Sequence, residues 1–229
     1  MARLHLLRVF CNASGDGGNP LAVFLDGSEV APGRRQAVAA DLGLSETVFV
    51  DDARRAEIRI FTPTVELPFA GHPVVGSAWL LAMERAPVES LVVPAGELRV
   101  RYDGELTNVS TRPEWAPSYD WQKLGSPADV EALDGPPAGS DMFGAWAWLD
   151  EGAGSVRTRV FPVGIGIAED EATGAASVGL CAQLGRELEI HQGRGSVIFA
   201  RPVGEQVELG GRSALDDVRD YPPPGDPGA

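Results

Sequence analysis

The chain carries one pattern twice. Residues 59–81 read RIFTPTVELPFAGHPVVGSAWLL, and residues 159–184 read RVFPVGIGIAEDEATGAASVGLCAQL. With Gly71 set on Gly174, Glu66 falls on Glu169, Val75 on Val178, Gly76 on Gly179 and Leu81 on Leu184, while the Arg-aliphatic-Phe lead-ins coincide after a shift of three residues. Each copy reads as a short strand, a turn bearing a carboxylate and a glycine, and a helix of small residues. Two such units predict two lobes facing each other across a pseudo-twofold axis, with a cleft between them. The helices are rich in Ala, Gly, Leu and Val around most of their circumference, and a helix apolar all round is a buried one. The expected fold class is α+β: two pseudo-symmetric lobes, each a barrel-like antiparallel or mixed sheet wrapped around a central helix.

A length of 229 residues accommodates two modest lobes. With 44% hydrophobic residues, 28 glycines and 18 prolines, the composition is that of a globular, turn-rich chain of short strands. A net charge of −14 opposes binding to nucleic acid or to an anionic membrane. An anionic substrate would need local partners such as backbone amides, helix N-termini or an arginine. The start, MARLHLLRVF, is broken by Arg3, His5 and Arg8 and lacks the apolar core of a signal peptide, and no run reaches membrane-spanning length, so a cytoplasmic location is expected. Cys11 and Cys181 stand alone, and His5, His72 and His191 sit in unrelated contexts, so neither a disulfide nor a metal is expected.

Strands are expected at 4–10 and 21–25 around the turn-rich loop 12–20, then a helix over 32–42 with Pro32 in its first turn and Gly43 at its stop. Strands at 44–50 and 58–62, a helix at 74–83 and strands at 91–93 and 98–102 follow. From 111 to 140 the chain turns proline-rich and gathers Trp115, Tyr119 and Trp121, which sets the boundary between a first lobe over 1–112 and a second over 113–220. The second lobe is expected to hold strands at 145–149, 156–161, 196–201 and 206–209 and a helix at 175–187, with its last strand returning to the first lobe. Residues 221–229, YPPPGDPGA, read as a flexible tail.

Chemistry-bearing residues cluster at the turns. On a strand, Glu46 shares a face with Leu44, Val48 and Val50, and a carboxylate desolvated there gains the raised pKa of a general acid/base; the other reading is an edge glutamate reaching water. His72 stands at a helix start beside Gly71, with Pro73 in the first turn and free amides that favour an anion. It either donates to a substrate carbonyl or carboxylate, or packs beneath the turn. Glu169, Asp170 and Glu171 precede the second helix, where acids commonly cap, yet Thr173-Gly174-Ala175 is small enough to admit a ligand and Asp170 would face His72 across the axis. Asn19 offers a binding loop or a plain turn. Gln192-Gly193-Arg194-Gly195 lacks the lysine and spacing of a phosphate loop.

GNPLAV (18–23), LSETVFV (44–50), RIFTPTVELPFAGHPVVG (59–76), EDEATGAA (169–176), HQGR (191–194) and GGR (210–212) together resemble the PhzF family of phenazine-biosynthesis isomerases, which share the diaminopimelate-epimerase fold. The resemblance spans nearly the whole chain in the family's order. It implies a homodimer without cofactor or metal, with a small-molecule, anionic substrate bound between the lobes. Glu46 is implied as the proton-shuttling acid/base, with His72 and Asp170 orienting the substrate and Asn19, Gly71, Pro73, Thr173, Gly174 and Ala175 binding it. The implied reaction is an intramolecular proton transfer that shifts double bonds in a carboxylate- or amine-bearing substrate; a ligand-binding pseudoenzyme or an amino-acid epimerase are the alternatives. Epimerases of this scaffold carry cysteines at the positions of Gly71 and Gly174, which disfavours two-thiol chemistry. The chain departs from the family pattern at Ala175, which replaces a serine, and at Glu171, which replaces a proline, and its second lobe is short.

Overall fold

A computed structural model describes residues 2–222. The first lobe runs β1 (Ala2–Cys11), β2 (Gly17–Phe24), α1 (Arg35–Leu42), β3 (Glu46–Asp52), β4 (Glu57–Phe61), β5 (Glu66–Leu67), α2 (Gly71–Glu84), β6 (Ser90–Val93), β7 (Gly96–Asp103) and β8 (Leu106–Thr111). The second runs β9 (Asp120–Lys123), α3 (Pro127–Glu131), β10 (Phe143–Asp150), β11 (Ser155–Phe161), α4 (Gly174–Leu184), β12 (Leu188–Gln192), β13 (Ser196–Val203) and β14 (Gln206–Tyr221).

The fold is α+β, and the duplicated segments are its two βαβ crossovers: β4 and β6 run parallel either side of α2, and β11 and β12 either side of α4. The repeat also recurs as an ion pair. Arg59 of β4 bonds Glu66 in one copy, and Arg159 of β11 holds Glu169 at 2.7 Å in the other.

Strands β1, β2, β3, β4, β6, β7, β8 and β14 hydrogen-bond in that order, and β14 pairs back to β1, closing a ring around α2. From β14 the sheet continues through β13, β12, β11, β10 and β9, wrapping α4 without closing. Val48, Val50, Ile58 and Ile60 face Val74, Val75, Ala78 and Leu81 inside the ring, and the same core runs on to Val178, Leu180, Ile190 and Ile198 of the second lobe. Outside the ring α1 covers a smaller cluster in which Phe24 and Phe49 stack at 5.1 Å.

Several boundaries differ from the sequence expectations. Helix α2 starts at Gly71, three residues early, and α4 stops at Leu184 because Gly185 takes the left-handed conformation (φ 63°) that ends helices. Residues 188–192 then form β12. Strands β8 and β9 and helix α3 escape the periodicity: β8 is buried despite its Thr, Asn and Ser, while β9 and α3 are short, largely exposed elements, α3 burying only Val130. Strand β14 runs on past the expected 209 to Tyr221, through Gly210 and Gly211, where any β-carbon would strike Asn108 and Phe10. Tyr221 is buried edge-on to Phe24 with its hydroxyl donated to Asp41, so it belongs to the sheet and not to a tail. The rest of the expected tail, 223–229, lies outside the described residues. Among the described residues no helix is long and apolar enough to cross a membrane.

Candidate active site

Glu46 opens β3, beside Leu21 of the parallel strand β2, and points with Val48 and Val50 into the ring. Leu44, expected on the same face, packs outside with the α1 cluster, because the strand and its alternation begin only at Glu46. Glu46 is 8% exposed and His72, the second residue of α2, is 3% exposed. Glu46 Oε2 lies 3.3 Å from His72 Nε2 without the alignment of a hydrogen bond, and both atoms are buried with no hydrogen-bond partner among the described residues. Buried polar atoms are rarely left so, and a catalytic role or a bound water or ion is among the reasons when they are.

Burial pushes the Glu46 carboxyl up to about 7, against a smaller opposing effect of a hydrogen bond from Ser45. Burial pulls His72 down to about 4, despite the nearby Asp170 and a hydrogen bond to the Pro20 carbonyl. The imidazole is therefore neutral at neutral pH. Its N–H is taken by Pro20, so the orphaned Nε2 presents a lone pair. In that state Nε2 accepts, whereas the sequence reading expects His72 either to donate or to pack beneath the turn.

Asp170 precedes α4 and is held by a bridge to Val160. Its Oδ1 accepts from Asn19 at 2.8 Å and its Oδ2 from the Thr173 hydroxyl at 2.6 Å. Burial, followed by the charge of Glu46, raises its pKa, and His72 and the two hydrogen bonds pull the other way. Asn19 also donates to the Ala172 carbonyl at 2.9 Å. It is turned onto the Asp170 turn, where it positions that carboxylate, and it lines a smaller neighbouring cavity with Ser45 and Asp170 and not the main one. Pro73 likewise lies buried behind the site. Gln192 donates to the Asp170 carbonyl at 2.8 Å and to the Thr173 hydroxyl at 2.9 Å, which makes the 192–195 segment a brace. Glu171 completes it, accepting from the Arg194 amide at 2.7 Å and the Ser196 hydroxyl at 2.9 Å.

The N-termini of α2 and α4 meet head to head. A β-carbon on Gly71 would sit 2.6 Å from the Cα of Gly174, and one on Gly174 would sit 2.9 Å from the Cα of Gly71. Neither position has room for a thiol. Neither helix has a side-chain cap, so first-turn amides remain open beside the cavity, where they favour negative charge.

The cavity, about 690 Å³, has Glu46, His72, Asp170, Thr173, Gly174 and Ala175 in its floor. Its walls are Phe69, Trp115, Tyr119, Met142, Ile165 and Ile167. Glu114 and Asp141 stand at its edge, and no lysine or arginine lines it. Sequence reasoning sees Trp115, Tyr119 and Trp121 only as a lobe boundary; Trp115 and Tyr119 wall the cleft, and aromatics in a proline-rich crossing between two lobes were the signal. Among the described residues no group of three or more His, Cys, Asp or Glu is arranged to hold a metal ion.

A family model described as phenazine biosynthesis-like protein, PhzC-PhzF, matches residues 7–135. The chain is 31% identical over 234 residues to the trans-2,3-dihydro-3-hydroxyanthranilate isomerase of Pseudomonas aeruginosa, an alignment covering 84% of this chain and 79% of that one. Among solved structures, the PhzF-family phenazine biosynthesis protein of Bacillus anthracis superposes with a TM-score of 0.75 at 18% identity, over 95% of this chain and 98% of that one. A predicted epimerase of Pseudomonas aeruginosa superposes with a TM-score of 0.70 at 24% identity, over 96% and 99%.

Proposed function

This chain belongs to the PhzC-PhzF family of phenazine biosynthesis-like proteins and is an isomerase, and we propose that it moves a proton within a small, unsaturated, carboxylate-bearing substrate, with Glu46 as base and then acid. The observation that carries this reading is the orphaned pair of buried atoms, Glu46 Oε2 and His72 Nε2, on the floor of a cavity between two uncapped helix N-termini. A carboxyl titrating at about 7 is half ionised at neutral pH, so it abstracts and returns a proton with little bias.

In the forward direction the Glu46 carboxylate takes a proton from one carbon, leaving the electron pair delocalised over the substrate's conjugated system. The neutral carboxyl formed is the state that burial favours. The same group then gives the proton to a second carbon, and the double bonds shift. Nothing is oxidised or reduced and the proton is returned, so no cofactor is needed in any step. Open amides of α2 and α4 hold the substrate carboxylate. Asp170 and the Nε2 of His72 accept from an ammonium or hydroxyl group, which fits a cavity that offers carboxylates and no cationic side chain. The relatives' named substrate, trans-2,3-dihydro-3-hydroxyanthranilate, carries those groups. A two-base epimerase is the poorer reading, because the second base has no place at Gly71 or Gly174.

With trans-2,3-dihydro-3-hydroxyanthranilate as probe, kcat/KM is expected to fall on the acid side of about pH 7, the value to which burial raises Glu46. An acid limb at the ordinary carboxylate value near 4.5 would contradict the assignment.

A further inference from the structure

The cavity is rich in acceptors and poor in donors. Glu46, Asp170, Glu114 and Asp141 are acids, His72 presents a lone pair, and the Thr173 hydroxyl is given to Asp170. The remaining side-chain donors on its wall are the Trp115 indole and the Tyr119 phenol. The benzo edge of Trp115 lies against Gly96, whose β-carbon would sit 2.9 Å from Cη2, and its ring packs 6.2 Å from Phe69. The indole is thus engaged as a wall.

Tyr119 is placed differently. It is the residue before β9, pinned by the Asp120 amide donating to the Met142 carbonyl at 2.9 Å. Its ring leans on Trp121 at 6.0 Å, and Trp121 in turn covers Gly144 and approaches Gly179, one turn along α4 from Ala175. The phenol is half-buried, faces the cavity and makes no hydrogen bond to any described residue. Burial, and after it the nearby charges of Asp170 and Glu46, push its pKa up and keep it protonated. A rigidly held donor without a protein partner, on the wall of a cavity whose base is Glu46, has a substrate oxygen as its natural acceptor.

We propose that Tyr119 is a further catalytic residue, whose hydroxyl donates a hydrogen bond to the substrate oxygen that gathers negative charge when Glu46 removes the proton. The proposal rests on the isomerase reading above. Because the bond strengthens as charge develops, Tyr119 acts on turnover more than on ground-state binding. No proton is transferred from the phenol: it remains a neutral donor throughout.

The test uses the full chain and two probes, trans-2,3-dihydro-3-hydroxyanthranilate for turnover and its aromatic counterpart 3-hydroxyanthranilate for binding. Tyr119→Phe is expected to lower kcat about 100-fold, to leave the dissociation constant of the aromatic probe within about threefold, and to keep the acid limb set by Glu46. Tyr119→Trp, which fills the wall without restoring a hydroxyl at that place, is expected to stay low. A kcat within twofold of wild type for Tyr119→Phe overturns the proposal, as does a joint loss of turnover, binding and thermal stability, which marks a packing residue. A wild-type chain that neither binds the aromatic probe nor turns over the other overturns the isomerase reading itself, and the role of Tyr119 with it.

Discussion

At the scale of single residues, Glu46 is a functional group kept at the expense of stability. A carboxyl whose pKa moves from 4.5 to about 7 on folding destabilises the ionised native state by about 3 kcal/mol. Between those pH values the folded chain holds a proton that the unfolded chain releases, so stability falls as pH rises through the window and the full penalty is present above about 7. Glu46→Gln removes the ionisation. The variant is expected to be more stable than wild type at pH 8, by up to about 3 kcal/mol, with a smaller difference at pH 5. Urea unfolding at the two pH values measures it, and an equal difference at both would contradict the raised pKa. Glu46 was legible because a carboxylate among alternating apolar residues is a local pattern. The acceptor state of His72 was not, because it depends on the Pro20 carbonyl, which only the fold brings to the ring.

At the scale of elements, the contact between the first turns of α2 and α4 organises the site. Replacing a helical glycine by alanine ordinarily gains up to about 1 kcal/mol from propensity. At Gly71 the added carbon meets backbone of the other helix at 2.6 Å, which flexible side-chain motion cannot relieve. Gly71→Ala is therefore expected to destabilise by about 1 to 3 kcal/mol and to lower turnover by parting the helix starts. Thermal unfolding and steady-state rates check both, and a variant more stable than wild type would show that the helices separate freely. The sequence marked both helices through their small residues and glycines. It hid β12, which follows α4 after a single capping turn, and the long β14, whose glycines and charges read as loop until Phe10, Asn108 and the paired β1 are seen beside it.

At the scale of the molecule, a duplicated scaffold carries chemistry that is not duplicated. One lobe closes its ring around α2 and the other leaves its sheet open around α4, with β14 common to both. The repeated Arg-Glu pairs hold equivalent turns, yet one turn leads to His72 and the other presents Asp170, while Glu46 comes from a strand outside both copies. The cleft was readable from the repeat; its aromatic wall was not, since Trp115 and Tyr119 reach it from the crossing between lobes. The central claim is that one base, Glu46, moves the proton. The direct measurement is carbon-bound deuterium, followed by NMR, in trans-2,3-dihydro-3-hydroxyanthranilate and its product during incubation in deuterated water. Exchange of the Glu46 carboxyl proton with solvent during the intermediate's lifetime carries deuterium to the receiving carbon in wild type, and Glu46→Gln is expected to incorporate it at least about 100-fold more slowly, whereas incorporation by Glu46→Gln at the wild-type rate would contradict the account.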